Sequence, residues 1–230
     1  MFYILIMILL NISRVYLFNI QKNFICNKIC NKKSYSINHS IKDNILNDKY
    51  MPLLYTNNNK LNNTLYSIEH IYPISYFKLK NNDIIINDMH NLIKTTKFIN
   101  NARSNYKYSD FKEIIYIDNN NFNIIYNNIS NNNWKLLDNY NYVNHKKKLF
   151  IPNNNSKGFI ARAILYISFN YNLNYSKIIN TDTLIKWNKI YPPNRNEKYH
   201  NFIANKIQNK DNIFISKYSK INLKKISNKI

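Results

Sequence analysis

Glu69 and His70 stand side by side, and Asn100 follows on a stretch with helical character. A carboxylate, an imidazole and a carboxamide in that order can hold one hard cation beside a general base, the equipment for metal-assisted phosphodiester hydrolysis. That reaction needs an activated water, charge relief on the phosphate and help for the leaving oxygen. An imidazole titrates near neutral pH and can activate the water, while Glu69 and Asn100 oxygens suit Mg²⁺, which keeps several waters and needs few protein ligands. Asp88, His90 and Asn91 lie between the two clusters. The competing reading is structural: in a chain this rich in Asn, His70, Asp88 and His90 could each be a hydrogen-bonded support.

Neighbouring residues of a strand point to opposite faces, so Glu69 and His70 converge only where the backbone bends, and Pro73 offers such a bend. Residues 65–71 predict a strand, Ile84-Ile85-Ile86 a second one, and Thr95 or Thr96 the N-cap of a helix reaching about residue 104. On that helix Phe98, Ile99 and Ala102 form the expected inward stripe, with Asn100 and Arg103 sharing another face. The order is strand, loop, strand, helix. Residues 111–151 read as strands and Asn-rich loops, with a hairpin expected around Asn119 to Asn121 and a solvated turn at Lys146, Lys147 and Lys148. Three helices follow. Ser156 is the expected cap of the first, over about 157–171. Thr181 or Thr183 begins the second, which carries Leu184, Trp187 and Ile190 and stops at Pro192-Pro193. Asn194 caps the third, with Tyr199, Phe202, Ile203 and Ile207 as its buried face and Glu197 completing a capping box.

The chain has 230 residues, 45% of them hydrophobic, enough for one well-buried domain with extensions. With 33 Lys and Arg against 12 Asp and Glu, the net charge of +21 favours phosphate polyanions or anionic membranes. Asn, Lys, Ile and Tyr also share adenine- and thymine-rich codons, so codon bias alone can make a chain basic. Gly occurs once, which leaves turns to Asn, the residue that best tolerates the left-handed region after Gly. Residues 1–20 are apolar and read as a signal peptide or signal anchor. Residues 21–52 form a basic Asn/Lys-rich leader, free of acids as far as Lys42, like a transit segment reached through the secretory pathway towards secretion or a plastid-like organelle. Cys26 and Cys30 have only His39 nearby, too few ligands for zinc. The folded domain is expected over 53–215, with a basic tail over 216–230.

Larger blocks resemble a known family. Glu69-His70-Ile71-Tyr72-Pro73, Asp88-Met89-His90-Asn91-Leu92 and Ile99-Asn100-Asn101-Ala102-Arg103-Ser104-Asn105 are similar to the core of the endonuclease I family of non-specific bacterial nucleases. The likeness continues through Phe150-Ile151-Pro152, 157–163 and Trp187 to Pro193, and ends at Glu197, Gln208 and Asn212-Ile213-Phe214, where the family's Asn-Pro-Phe has lost its proline. The single glycine, Gly158, falls inside the Lys157-Gly158-Phe159-Ile160-Ala161-Arg162 block, the mark of a backbone constraint.

The resemblance implies an α+β fold with a ββα-metal (His-Me finger) core, additional strands and a C-terminal set of helices. It implies His70 as the base and Glu69 and Asn100 as ligands of one Mg²⁺, with Mn²⁺ or Ca²⁺ as substitutes. Arg103 would join the catalytic group, Arg162 and more weakly Lys157 would contact phosphate, and Asp88, His90 and Asn91 would give structural support. The implied activity is endonucleolytic hydrolysis of DNA, and of RNA as a second substrate, with little sequence preference and a 5′-phosphate left behind. The enzyme would work as a monomer without an obligate protein partner. The alternatives are a catalytically silent nucleic-acid binder of the same fold and a membrane-tethered protein that keeps its N-terminal anchor.

Overall fold

The computed structural model describes residues 37–56, 65–77, 83–110, 133–221 and 223. The chain divides into two units, Met1–Tyr35 and Ser36–Ile230, and every described residue belongs to the second. The apolar N-terminus, Cys26 and Cys30, the hairpin expected around Asn119 to Asn121 and most of the basic tail lie outside the described residues.

The first element is a helix in the stretch read from the sequence as leader. This helix, α1 (His39–Asn47), begins at Asn38, whose side chain accepts from the Ser40 N–H. Ile41 and Ile45 are buried with Met51, Met89, Leu92 and Ala204, so the folded unit starts well before residue 53. Strands β1 (Leu53–Leu54), β2 (Tyr66–His70) and β3 (Leu92–Thr96) make a sheet in the order β1-β3-β2, with β1 parallel and β2 antiparallel to β3. Central β3 is buried at every position, Lys94 included, so it lacks the polar alternation by which half-buried strands are read. The Lys94 ammonium is satisfied by the carbonyls of Leu46 and Asp48 at the end of α1, where a cation is electrostatically favoured.

Ile84-Ile85-Ile86 is not the second strand. It lies in a single helical turn, α2 (Asp83–Ile86), and β3 pairs with β2 instead. A β-branched run marks a half-buried surface, and the partner that completes the ladder is decided by packing. Helix α3 (Lys97–Arg103) follows β3 directly, its Thr96 hydroxyl accepting from the Ile99 N–H. Phe98, expected inside, is exposed; Ile99 and Arg103 are the buried residues of the helix.

A second sheet holds β4 (Lys107–Tyr108), β5 (Lys135–Leu137), β6 (Asn141–Asn144) and β7 (Leu149–Ile151) in the order β4-β7-β6-β5. Next comes α4 (Asn154–Tyr171), buried continuously from Ser156 to Ser168 and so enclosed on all sides. Its cap is Asn153, which accepts from the Ser156 N–H, so the helix starts before the Ser156 cap read from the sequence. Helix α5 (Thr181–Ile190) buries Leu184 and Trp187 but exposes Ile190, and Pro192 stops its continuation.

Asn194 caps α6 (Arg195–Gln208), as its sequence predicts. The helix turns the opposite face inward: Glu197, His200, Asn201 and Ala204 are buried, and Phe202 is 62% exposed. The buried polar residues have partners. Glu197 meets Arg162, and His200 Nε2 lies 3.1 Å from the Leu92 carbonyl. Helix α7 (Ile213–Ser216) ends the set. The architecture is α+β. Among the described residues no helix is long and apolar enough to cross a membrane.

Two outcomes test this packing. A Cβ at Gly158 would lie 2.2 Å from the Tyr191 carbonyl oxygen, a backbone atom, so Gly158→Ala is expected to destabilise the protein by about 1–3 kcal/mol in urea unfolding. Burial, reinforced by neighbouring His90, pushes the His200 imidazole down to about 3. Its neutral form is the one the fold accepts, so its stabilisation is complete above the unfolded value near 6.5 and is lost as pH falls towards 3. The urea midpoint should decline through that window, and less steeply in His200→Gln.

Candidate functional site

Glu69 is 2% exposed and receives its partners from three directions. Arg103, reaching across from α3, places Nη1 2.8 Å from Glu69 Oε1. The Tyr55 hydroxyl donates to the same oxygen at 3.0 Å and lies 2.7 Å from the Tyr108 hydroxyl, which also hydrogen-bonds the carboxylate. Burial raises the Glu69 carboxyl above the ordinary range, and Arg103 and Tyr55 oppose the rise. Tyr55 is fixed from both sides of its own backbone. Its N–H donates to Ser156 Oγ, its carbonyl accepts from Asn141 Nδ2, and its φ is 64°.

Arg103 is itself 1% exposed. Besides Glu69 it donates to the carbonyls of His70, Ile71 and Ser104, and its guanidinium sits 4.5 Å from the centre of the Tyr108 ring. The sequence reading placed this cation among the catalytic residues. The structure buries it at the junction of β2 and α3, where it holds the Glu69 carboxylate and the carbonyls at the end of β2.

Asn100 stands one turn before Arg103 on the same face. Its Nδ2 donates to Ser67 Oγ at 2.9 Å and to the Ile68 carbonyl at 3.1 Å. A carbonyl only accepts, so the amide orientation is determined and Oδ1 is the atom left to bind a cation or a donor. Ser67 and Glu69 share one face of β2, which brings Glu69, Asn100 and Arg103 together at its junction with α3.

The ladder runs through His70, opposite Leu92, and the bend comes only at Ile71 and Tyr72. Alternation therefore sends the His70 ring to the other side of the strand, where Nε2 lies 3.0 Å from the Ile86 carbonyl at the end of α2. That carbonyl makes Nε2 the protonated nitrogen and leaves the lone pair on Nδ1. Burial pushes the imidazole down to about 4, with the Ile86 hydrogen bond opposing and the nearby Arg103 cation assisting.

The bend after His70 is clamped by Asn91, whose side chain accepts from the Tyr72 N–H at 2.7 Å and donates to the Tyr72 carbonyl at 3.0 Å. Asp88 holds the Met89–Asn91 turn by accepting from the His90 N–H, and its second oxygen takes Lys210, Tyr166 and Tyr171. His90 Nε2 lies 2.9 Å from the Lys210 carbonyl.

Lys157 and Arg162 sit on α4, and both cations are engaged inside the protein. Lys157 Nζ is 3.0 Å from Asp110 Oδ1. Arg162 is 1% exposed and forms a bidentate pair with Glu197, Nε to Oε1 and Nη2 to Oε2 at 2.6 Å each, while Nη1 donates to the Tyr191 carbonyl. Glu197 thus serves Arg162 with both side-chain oxygens, in place of the capping box read from its spacing. Tyr55, Tyr108 and Ser67 carried no sequence signal, because their roles depend on contacts between distant segments. Removing one partner of a buried pair strands the other charge, so Glu197→Ala is expected to cost about 3–5 kcal/mol by urea unfolding, and Glu197→Gln less.

Among the described residues no group of three or more His, Cys, Asp or Glu is placed to hold a metal ion. The hard donors at the site are the Glu69 carboxylate and Asn100 Oδ1. Two oxygens fit a cation that keeps most of its waters, such as Mg²⁺.

A comparison with curated proteins finds no match. The model of the family described as Endonuclease I matches residues 15–218, a span that holds the Glu69–Arg103 junction, His70 and the Arg162–Glu197 pair. With nearly the whole chain matched, the protein belongs to the endonuclease I family, whose members are nucleases.

Proposed function

We propose that the protein is a Mg²⁺-dependent, largely non-specific endonuclease that hydrolyses DNA and also RNA, with His70 as its general base. The observation that carries this reading is the His70 ring: a carbonyl holds one nitrogen, burial keeps the other unprotonated at neutral pH, and the oxygens of Glu69 and Asn100 lie across the strand on the same short strand–helix unit.

Glu69 would hold the ion with lone pairs not committed to Arg103, Tyr55 and Tyr108, and Asn100 with Oδ1. The bound ion supplies charge relief on the phosphate and helps orient it. His70 Nδ1 takes the proton of the attacking water, and the Ile86 carbonyl steadies the imidazolium as it forms. Arg103 acts through Glu69, fixing the position of the carboxylate and the end of β2. Asp88, His90 and Asn91 hold the bend that follows. The strand, strand, helix order of β2, β3 and α3 supports the His-Me finger assignment. The apolar stretch 1–20 and the acid-free basic stretch behind it support a route through the secretory pathway.

The test is digestion of plasmid DNA and of RNA by the full chain in Mg²⁺, in EDTA, and as His70→Ala. Wild type in Mg²⁺ should cleave both polymers, EDTA should abolish cleavage, and His70→Ala should lose about 10²–10⁴-fold in rate. Equal activity in all three conditions would end this reading.

A further inference from the structure

Gln208 is the last residue of α6, far along the chain from His70. Its carboxamide spans Asp88: Oε1 accepts from the Met89 N–H at 2.9 Å, and Nε2 donates to the Asn87 carbonyl at 2.6 Å. One partner only donates and the other only accepts, so both ends of the amide are determined. The next residues extend the grip. Asn209 takes the left-handed conformation at φ 51°, and beyond it the Lys210 carbonyl lies 2.9 Å from His90 Nε2 while Lys210 Nζ meets Asp88 at 3.0 Å.

Residues 86–91 are thus held by the end of α6, and they touch the strand of the candidate base twice. The Ile86 carbonyl holds His70 Nε2, and the Asn91 side chain holds Tyr72. The Lys210 contacts fix the Met89–Asn91 turn. Gln208 reaches further back, to the carbonyl of Asn87, the residue directly after Ile86. The Asn87 side chain is tied as well, its Oδ1 accepting from the Asn38 N–H at 2.6 Å where α1 begins. With carbonyl and side chain both held, Asn87 cannot turn about its own backbone, and the rigid peptide unit that carries the Ile86 carbonyl keeps its tilt towards the imidazole. Helix α2 cannot supply that constraint, because a single turn of 4 residues is too short to be stable by itself.

We propose that Gln208 is a positioning residue for catalysis: through Asn87 it aims the Ile86 carbonyl at His70 Nε2, and so keeps His70 Nδ1 directed at the attacking water. The inference rests on the general-base reading of His70 and extends it to the far end of α6. A misplacement of about 1 Å in a reacting group can cost about 10²-fold in rate. The loss falls on kcat and leaves KM alone, since the aim of the base changes and substrate binding does not.

Two variants of the full chain separate aim from packing. Gln208→Glu keeps the stem and the acceptor for Met89 but cannot donate to Asn87. Gln208→Met keeps the stem and drops both bonds. Cleavage of a fluorescein-labelled DNA duplex in Mg²⁺ gives kcat and KM, and proton NMR at neutral pH gives the imidazole N–H signals. The His70 signal is the one missing in His70→Ala. The His200 signal, missing in His200→Gln, comes from an N–H that faces the Leu92 carbonyl and reports that the fold is kept. Both variants should lose about 10–10²-fold in kcat at unchanged KM, with the His70 signal lost to exchange with water and the His200 signal intact. A Gln208→Glu enzyme with the wild-type kcat, or a fall in kcat with the His70 signal unmoved, would overturn the proposal. Loss of both signals in both variants would mark a merely structural residue and overturn it as well. The expected change in signals, with no cleavage even by the wild type, would uphold the link from Gln208 to His70 while overturning the nuclease reading.

Discussion

The Glu69–Arg103 pair is the interaction on which the rest of the site depends. Two charges almost wholly removed from water pay a desolvation cost that only close geometry and further hydrogen bonds offset. Both are present: the ions approach to 2.8 Å, two tyrosines bond the carboxylate, and three carbonyls accept from Nη1 and Nη2 of the guanidinium. The net contribution of such a pair to stability is small, but its contribution to uniqueness of structure is not. Any slip of α3 along β2 would leave an unpaired charge in the core, so the helix that carries Asn100 has one register.

The same logic recurs at Arg162–Glu197, which ties α4 to α6, and at Lys94, which ties β3 to the end of α1. Buried cations are therefore fasteners within the fold, and exposed charge lies on lysines such as those of the Lys146 to Lys148 turn. Asparagine has the complementary task. In a chain with one glycine, Asn172 and Asn209 adopt the left-handed conformation that ends α4 and α6. Asn38, Asn153, Asn194 and Asn212 cap helix starts with their side chains. Asn91 and Asn141 bind backbone as a neighbouring strand would.

Strand β2, helix α3 with its threonine cap, the Asn194 cap and the Pro192 stop were legible in the sequence because each is a local event, decided by a propensity, a cap or a breaker within a few residues. The blocks around Glu69, Asn100 and Gly158 pointed to the family, which the match over 15–218 supports. Strand β3 was not legible, because total burial removes the alternation that identifies a strand. The face of α6 was misjudged for a related reason: its apolar residues mark an amphipathic helix, but the side turned inward carries Glu197, His200 and Asn201, whose partners lie far away in the sequence.

What the sequence determined by itself was the inventory: a basic, Asn-rich chain, an acid and an imidazole at one strand end, a carboxamide on the helix that follows, and a single glycine inside the Lys157 to Arg162 block. What only the tertiary structure decided was which of the cations are spent. Arg103 reads from the sequence as catalytic and Arg162 and Lys157 as phosphate contacts, and each is paired with a carboxylate drawn from another part of the chain. Ion pairing in a low-dielectric interior depends on distance in space, and spacing along the chain does not report it.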